Sequence, residues 1–207
     1  MKVPLHSKPS ASRKPTGSKL RSRVRIIGGT WRSRLIEFPE TDGLRPTANR
    51  VRETLFNWLG QTLQGKRCLD LFSGSGALGF EAASRGAIEV VMLEQNPGAI
   101  GALRANQLKL AADMCRIVAI DALKFVGRNN EKFDVVFVDP PFASGLMEPV
   151  LGSLSQNLSD GGLVYAEWGT PIVEVVVGKL ARSWEIVKQG RAGGVHFALL
   201  RIPPISI

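Results

Sequence analysis

The chain has 207 residues, 44% of them hydrophobic, and a formal net charge of +9 at pH 7. This is enough apolar material for the core of one domain with a small appendage, and no stretch approaches the ~20 apolar residues of a membrane-spanning helix. Cys68 and Cys115 fall inside predicted strands, which favours buried free thiols in a reducing, cytoplasmic compartment over a disulfide framework. The two histidines have no partners at ligand spacing, so no metal site is predicted.

The positive charge is concentrated at the N-terminus. Residues 1–36 contain ten Lys or Arg and no acid, whereas the remainder holds 17 basic and 18 acidic residues. We predict that residues 1–23 form a disordered basic tail, and a basic arm on a nearly neutral body favours a polyanionic partner such as nucleic acid. A tail that only aids solubility is one alternative. An organelle transit peptide is another, although prolines interrupt any amphipathic helix there.

Residues 24–64 are predicted to form an N-terminal appendage. Two strands, at 24–27 and 31–38, flank Gly28-Gly29-Thr30, which is typical of a hairpin turn. After a loop from Pro39 to Pro46, Thr47 is expected to cap a helix that continues to about Leu63.

From residue 65 to 207 the sequence alternates between strand and helix patterns. The predicted strands are 67–72, 88–93, 115–119, 133–138, 162–168, 184–189 and 195–202, and the predicted helices are 77–85, 97–111, 121–127 and 146–157. This order predicts an α/β fold with a doubly wound, seven-stranded, mostly parallel sheet whose last strand is antiparallel. Sheets of this kind bind ligands at the carboxyl ends of their strands.

An acidic residue lies near the carboxyl end of each of the first four predicted strands: Asp70, Glu94, Asp121 and Asp139. Asp70 leads into the loop Phe72-Ser73-Gly74-Ser75-Gly76, whose glycines allow a sharp turn and the close approach of a ligand. Glu94 could accept both hydroxyls of a ribose, and Asp121 with Ala122 could receive an adenine amine. Carboxylates at successive strand ends, with no Lys or Arg among them, favour a cationic ligand.

The fourth predicted strand runs into Asp139-Pro140-Pro141-Phe142. Neither proline has an N–H, so this corner offers a carboxylate and carbonyl oxygens as acceptors. It therefore suits a guest with two N–H bonds to donate, such as the exocyclic amine of a nucleobase, and Phe142 supplies a face on which a base can stack. An ordinary turn after a strand is the alternative interpretation.

The spacing of Gly74, Gly76 and Gly79, followed by Glu94, also satisfies the dinucleotide-binding fingerprint. A dinucleotide would bring a pyrophosphate to this loop, where the Asp70 carboxylate would repel it. S-adenosylmethionine has no phosphate, and its sulfonium and ammonium outweigh its one carboxylate. The residues therefore favour S-adenosylmethionine over a nicotinamide cofactor.

Residues 69–76 together with 139–142 resemble the Rossmann-like class I methyltransferases that modify exocyclic amines. More narrowly, the stretches 25–32, 43–57 and 74–82 resemble the RsmD family of bacterial 16S rRNA guanine-N2 methyltransferases. The resemblance covers residues 24–202 and implies a methyltransferase domain over 65–207. It implies as substrate one guanine of small-subunit rRNA, presented within the assembling subunit, and we expect a monomeric enzyme.

The resemblance also implies roles for individual residues. The residues that hold the target base would be Asp139, Pro140 and Phe142. The cofactor S-adenosylmethionine would be bound by Asp70, Phe72, Gly74, Ser75, Gly76, Glu94, Asp121, Ala122, Arg45 and Thr47. Of these, Arg45 and Thr47, with Pro46 between them, would close over the cofactor or the flipped base. The candidates for contact with RNA phosphates are Arg25, Arg32, Arg34, Arg50 and Arg52.

The chemistry of the amine indicates a mechanism. Its lone pair is delocalised into the ring, so hydrogen bonds from its N–H groups to the Asp139 carboxylate and the Pro140 carbonyl should favour a pyramidal nitrogen aimed at the methyl group. The base must first be unpaired or flipped. The same corner could serve adenine-N6 methylation or N-methylation of protein glutamine, and a non-enzymatic RNA-binding module remains a further alternative.

Overall fold

The computed structural model describes residues 21–40, 47–171 and 184–203. Nearly all of the predicted basic tail, and the loop that contains Arg45, lie outside the described residues. The described strands are β1 (Arg21–Arg25), β2 (Leu35–Pro39), β3 (Arg67–Asp70), β4 (Glu89–Glu94), β5 (Cys115–Ala119), β6 (Phe133–Val138), β7 (Leu158–Trp168), β8 (Glu185–Ala192) and β9 (Val195–Arg201). The described helices are α1 (Asn49–Trp58), α2 (Ala77–Ser84), α3 (Pro97–Leu110), α4 (Ala122–Val126) and α5 (Met147–Ser153), with 3-10 turns at Phe142–Ser144 and Leu154–Asn157.

Within the described residues, β3 to β9 form one seven-stranded sheet in the order β5-β4-β3-β6-β7-β9-β8. The first five strands in this order, β5, β4, β3, β6 and β7, are parallel to one another. Strand β9 is antiparallel to both β7 and β8. The predicted Rossmann-like sheet, mostly parallel with an antiparallel last strand, is confirmed. Because the chain proceeds outward from β3 in one direction and from β6 in the other, the switch point lies between these two strands, where such folds bind ligands.

The two faces of the sheet carry different residues because side chains alternate along a strand. On one face, Phe137 and Tyr165 pack with α1, α2 and the β1–β2 hairpin, and on the other face Val136 and Val164 pack with residues of α4 and α5. Both faces are covered, which explains why β4 and β6 are almost continuously apolar.

The connection between β1 and β2 is longer than predicted. Residues 26–34 do not continue the strands, because this segment folds against the C-terminal end of α2. The backbone N–H of Thr30 donates to the Ser84 carbonyl at 2.8 Å. Gly29 has φ +73°, and a Cβ at this position would lie 1.8 Å from the Ser84 carbonyl oxygen. The predicted glycine turn is thus a loop that packs against the end of α2, and only glycine at position 29 allows the two backbones to approach this closely.

Helix α1 differs from the prediction at both ends. Its N-cap is Ala48, not Thr47, and no side chain caps it. The helix ends near Leu59 and not at Leu63, because Gly60 follows with φ +93° and the chain turns away. In the described part of the chain, no helix has the length and apolar character needed to cross a bilayer.

Candidate active site

A cavity of about 780 Å³ opens at the carboxyl ends of the parallel strands, across the switch point. Its walls come from the glycine loop after β3, the end of β4, the corner after β6, the end of β7, the start of α1 and the turn between β8 and β9. Four acids line the cavity: Asp70, Glu94, Asp139 and Glu167. The described residues that line it include no Lys, Arg or His. The cavity therefore presents acceptors and negative charge.

The glycine loop is held by Glu94. The Glu94 carboxylate accepts hydrogen bonds from the backbone N–H of Gly74 at 2.9 Å and from those of Gln95 and Asn96 at 2.8 Å. Gly76 turns the chain into α2 with φ +81°, and a Cβ on it would lie 2.7 Å from Leu103 and Phe80. Glu94 thus shapes the loop in addition to lining the cavity.

Asp70 is buried beneath the loop at the start of α2. Its Oδ2 accepts a hydrogen bond from the backbone N–H of Gly79 at 3.1 Å, in the first turn of the helix. Burial, and to a smaller extent the Asp139 charge, raise the pKa of Asp70 to about 7, against the opposing effect of the N–H groups of Gly79 and Phe72. A cation in the cavity would favour the ionised form of this carboxyl.

The corner after β6 is joined to the start of α1. The Thr47 hydroxyl donates to Asp139 Oδ2 at 3.1 Å. Burial raises the pKa of Asp139 to about 6, and the Thr47 hydrogen bond opposes this. Pro140 is buried, while Phe142 is 46% exposed and also lines the cavity, with its ring beside Gly169. Thr47, predicted as a helix cap, instead positions the strand-end acid.

Glu167 is the site residue that sequence analysis missed. It is 5% exposed, and its Oε2 accepts a hydrogen bond from the Tyr165 hydroxyl at 2.8 Å. Burial raises the pKa of Glu167 to about 8, with a further contribution from the Asp139 charge, while the Tyr165 hydrogen bond opposes the shift. Alternation could have found it, since Glu167 follows the core residue Tyr165 by two positions, as Asp139 follows Phe137.

Most of the predicted cofactor residues line the cavity, but not all of them. Gly76 does not line it and serves to turn the chain. Asp121 lies beside the neighbouring smaller cavity, caps α4 by accepting from the Lys124 N–H at 3.0 Å, and accepts from Gln95 Nε2 at 3.3 Å. The predicted residues that line the main cavity are Thr47, Asp70, Phe72, Gly74, Ser75, Glu94 and Ala122, together with the base-binding candidates Asp139, Pro140 and Phe142.

One of the five predicted phosphate-contacting arginines is excluded. Arg52 is fully buried, and its guanidinium donates to the Glu81 carboxylate at 3.2 Å, to the Arg25 carbonyl at 2.9 Å and to Asn49 Oδ1 at 2.7 Å. The prediction for Arg52 is therefore wrong, because these partners remove it from the surface. The other four candidates, Arg25, Arg32, Arg34 and Arg50, are exposed.

Comparison with known proteins places the chain among methyltransferases. A family model described as Conserved hypothetical protein 95 matches residues 24–201. Ribosomal RNA small subunit methyltransferase D of Escherichia coli K12 is 40% identical over 179 residues, which are 86% of this chain and 89% of that protein. The protein of the same name from Haemophilus influenzae is 37% identical over 187 residues, covering 86% and 94%. The solved structure of yhhF, a candidate methyltransferase from Escherichia coli, has a TM-score of 0.75 at 38% identity and covers 87% of this chain and 98% of that one.

Proposed function

The chain belongs to the RsmD family of methyltransferases, and from this premise we propose that it transfers a methyl group from S-adenosylmethionine to the exocyclic N2 amine of one guanine in small-subunit rRNA. The observation that carries the proposal is the cavity itself. Acidic residues at the ends of four adjoining strands line the cavity, and Asp139, one of these acids, forms a corner with Pro140. Among the described residues, no basic side chain lines the cavity.

The donor set fits S-adenosylmethionine. Asp70 is buried and Asp139 is partly buried, and their pKa values are raised to about 7 and about 6, so a positively charged guest would offset part of the cost of ionising them. Glu94 and Ala122 line the part of the cavity beside β4 and α4, where the nucleoside would be held. Bound there, S-adenosylmethionine supplies an electrophilic methyl group on a positively charged sulfur.

The Asp139 corner supplies the grip on the accepting amine. The Asp139 carboxylate and the Pro140 carbonyl accept the two N–H groups of guanine N2, which orients its lone pair. The Thr47 hydroxyl donates to Asp139 Oδ2, so the carboxylate keeps its orientation before the base arrives. Phe142 offers an exposed ring on which the flipped base can stack.

Asp139 is also suited to accept the proton that the amine must lose. Its pKa is raised to about 6, which brings it closer to neutrality than an ordinary aspartate and makes it a better proton acceptor. The nitrogen is most acidic once it is methylated and cationic. The proton can therefore be held at the Asp139 carboxyl, or passed to water, after the bond to carbon has formed.

The RNA is held outside the cavity by positive charge. The exposed residues Arg25, Arg32, Arg34 and Arg50 lie on the N-terminal hairpin and α1, and Thr47 at the cavity wall lies just before α1. Contacts from these side chains to phosphates would position the strand while the corner after β6 reads the base. We infer that a monomer acts on the assembling small subunit in the cytoplasm.

The decisive experiment uses methyl-labelled S-adenosylmethionine and small ribosomal subunits prepared from cells that lack the modification. The label is expected in N2-methylguanosine at a single position, which digestion and mapping of the rRNA would identify. Labelled N6-methyladenosine or labelled protein would favour the alternative acceptors of the same corner. Absence of any label with the full-length protein would reject the proposal.

A further inference from the structure

We propose that Glu167 selects guanine among the amine-bearing bases by accepting a hydrogen bond from the ring N1–H beside the target amine. The inference deepens the proposed function and depends on it. It assigns to Glu167 a contact with the substrate base that is separate from the grip of Asp139 and Pro140 on the amine.

The register of the sheet places Glu167 beside Asp139. Val138 of β6 pairs with Ala166 of β7, so the next residues along these parallel strands are Asp139 and Glu167. Paired strands lie about 4.8 Å apart, so the Asp139 and Glu167 side chains start close enough together to contact neighbouring N–H groups of one flat base. Phe137 and Tyr165, two positions earlier, pack in the same core cluster, so the two acids continue one face of the sheet.

Tyr165 holds the Glu167 carboxylate in place. The phenol ring is fully buried and packs against Phe197, with centroids 6.4 Å apart. Its hydroxyl donates to Oε2 of Glu167 at 2.8 Å. Among the described residues Tyr165 is the hydrogen-bonding partner of Glu167, so Oε1 remains an acceptor on a side chain that lines the cavity.

The chemistry of the bases makes an acceptor at this position selective. In guanine the ring nitrogen next to the amine carries a hydrogen, so the edge presents donors side by side. In adenine and cytosine the ring nitrogen next to the amine is a bare acceptor, and a carboxylate would face its lone pair. A site built to accept an N–H rejects analogues that lack it, because a buried polar group is then left unpaired.

A structural role alone does not account for a carboxyl at this position. The carboxyl is 5% exposed and lies next to the partly buried Asp139, and burial raises its pKa to about 8. Such a group costs stability unless donors face it, and Tyr165 is one. The guanine N1–H would be a second donor that favours the ionised form.

The test compares guanine with 2-aminopurine, which keeps the amine but has a bare N1. Small subunits are reconstituted with either base at the position mapped for the wild-type enzyme, and kcat/KM is measured with the full chain at a pH above about 8, where Glu167 is ionised and cannot donate to a bare N1. Wild type should favour guanine by at least about a hundredfold. Glu167→Gln, whose amide can accept or donate, should shrink this preference to less than about fivefold. 2-Aminopurine also lacks the 6-oxo group of guanine, but this loss affects every variant alike. The change in the ratio between variants therefore reports on the contact with N1–H.

Two further variants keep the outcome interpretable. Tyr165→Phe removes the hydroxyl that holds Oε2 but keeps the packed ring, and should reduce the preference by a smaller factor. Glu185→Gln, an exposed acid on β8, should keep the wild-type ratio. A wild-type ratio near one, or an unchanged ratio in Glu167→Gln, overturns the assignment. Failure of wild type to label any guanine would instead reject the proposed function.

Discussion

The Arg52 guanidinium and the Glu81 carboxylate lie 3.2 Å apart, with both side chains fully buried. The same carboxylate accepts hydrogen bonds from the backbone N–H of Ile27 at 2.8 Å and of Gly28 at 2.7 Å. The three sequence stretches that resemble the RsmD family therefore meet at one residue, since each contributes a partner. Glu81 of α2 therefore fixes both the segment after β1 and helix α1.

We expect Arg52→Met to destabilise the protein by about 3–5 kcal/mol, because it leaves the Glu81 carboxylate buried with fewer charged partners. Urea unfolding followed by circular dichroism measures the change. The double variant Arg52→Met with Glu81→Met should cost less than the sum of the single changes, since it leaves no buried charge at this pair. Glu185→Gln, in the exposed pair with Arg201, is the control and should barely move the midpoint. An unchanged midpoint in Arg52→Met would contradict this account.

Asp139→Ala should abolish methyl transfer while most of the affinity for S-adenosylmethionine is kept. In the proposed function Asp139 contacts the amine, whereas Asp70, Glu94 and the glycine loop, which also line the cavity, would hold the donor. Turnover is measured on small subunits, and donor affinity by calorimetry. A rate within about tenfold of wild type, equivalent to about 1.4 kcal/mol of barrier, would show that Asp139 does not grip the amine. Asp160→Ala, an exposed acid on β7, should keep full activity.

The ligand-free protein should be less stable at pH 8 than at pH 5.5. The folded-state pKa values of Asp70, Asp139 and Glu167 are raised to about 7, 6 and 8, above those of the unfolded chain. Between the unfolded and folded pKa values the native state binds more protons, so the free energy of unfolding falls as pH rises through this window. Thermal unfolding should show a Tm at least about 3 °C lower at pH 8, the shift that about 1 kcal/mol gives a domain of this size.

Glu167→Gln should flatten this pH dependence, because it removes the group with the highest of the three raised pKa values. Saturating S-adenosylmethionine should also flatten the dependence, since a cation favours the ionised carboxyls. A Tm that rises from pH 5.5 to pH 8 in the ligand-free protein would mean that these acids are not buried as described.

The parallel part of the sheet could be predicted because its strands are continuous apolar runs bounded by loops. The predicted range 133–138 is β6 as observed, and 115–119 is β5. The start of β7 was missed, since Leu158 precedes Asp160, Gly161 and Gly162, which locally indicate a turn. The register shift opposite Phe133 and Val135 accommodates these residues within the strand. Local composition does not reveal a strand that continues through such an irregularity.

The errors at the site come from partners that are distant in sequence. Thr47 has the residue type and position of a helix cap, but its hydroxyl bonds to Asp139, 92 positions away. Arg52 has the charge of an RNA contact, but Glu81 and the Arg25 carbonyl hold it in the core. Glu167 lies within the predicted strand 162–168, so its position does not mark it as a residue that follows a strand end. The roles of Thr47 and Arg52 depend on tertiary contacts that the residue type alone does not specify, whereas the alternation along β7 does indicate Glu167.

The exposed arginines of the hairpin and α1 should govern the affinity for RNA and its dependence on salt. Arg32→Ala and Arg50→Ala should each weaken binding, and each lost phosphate contact should lower the slope of log K against log salt by about 0.7–0.9. Filter binding of labelled small-subunit rRNA between about 50 and 200 mM salt covers the range in which such contacts change affinity most steeply. Arg128→Ala is the matched control, because Arg128 is exposed between α4 and β6, at the sheet edge opposite the cavity. Equal slopes for all three variants and wild type would place the RNA on another surface.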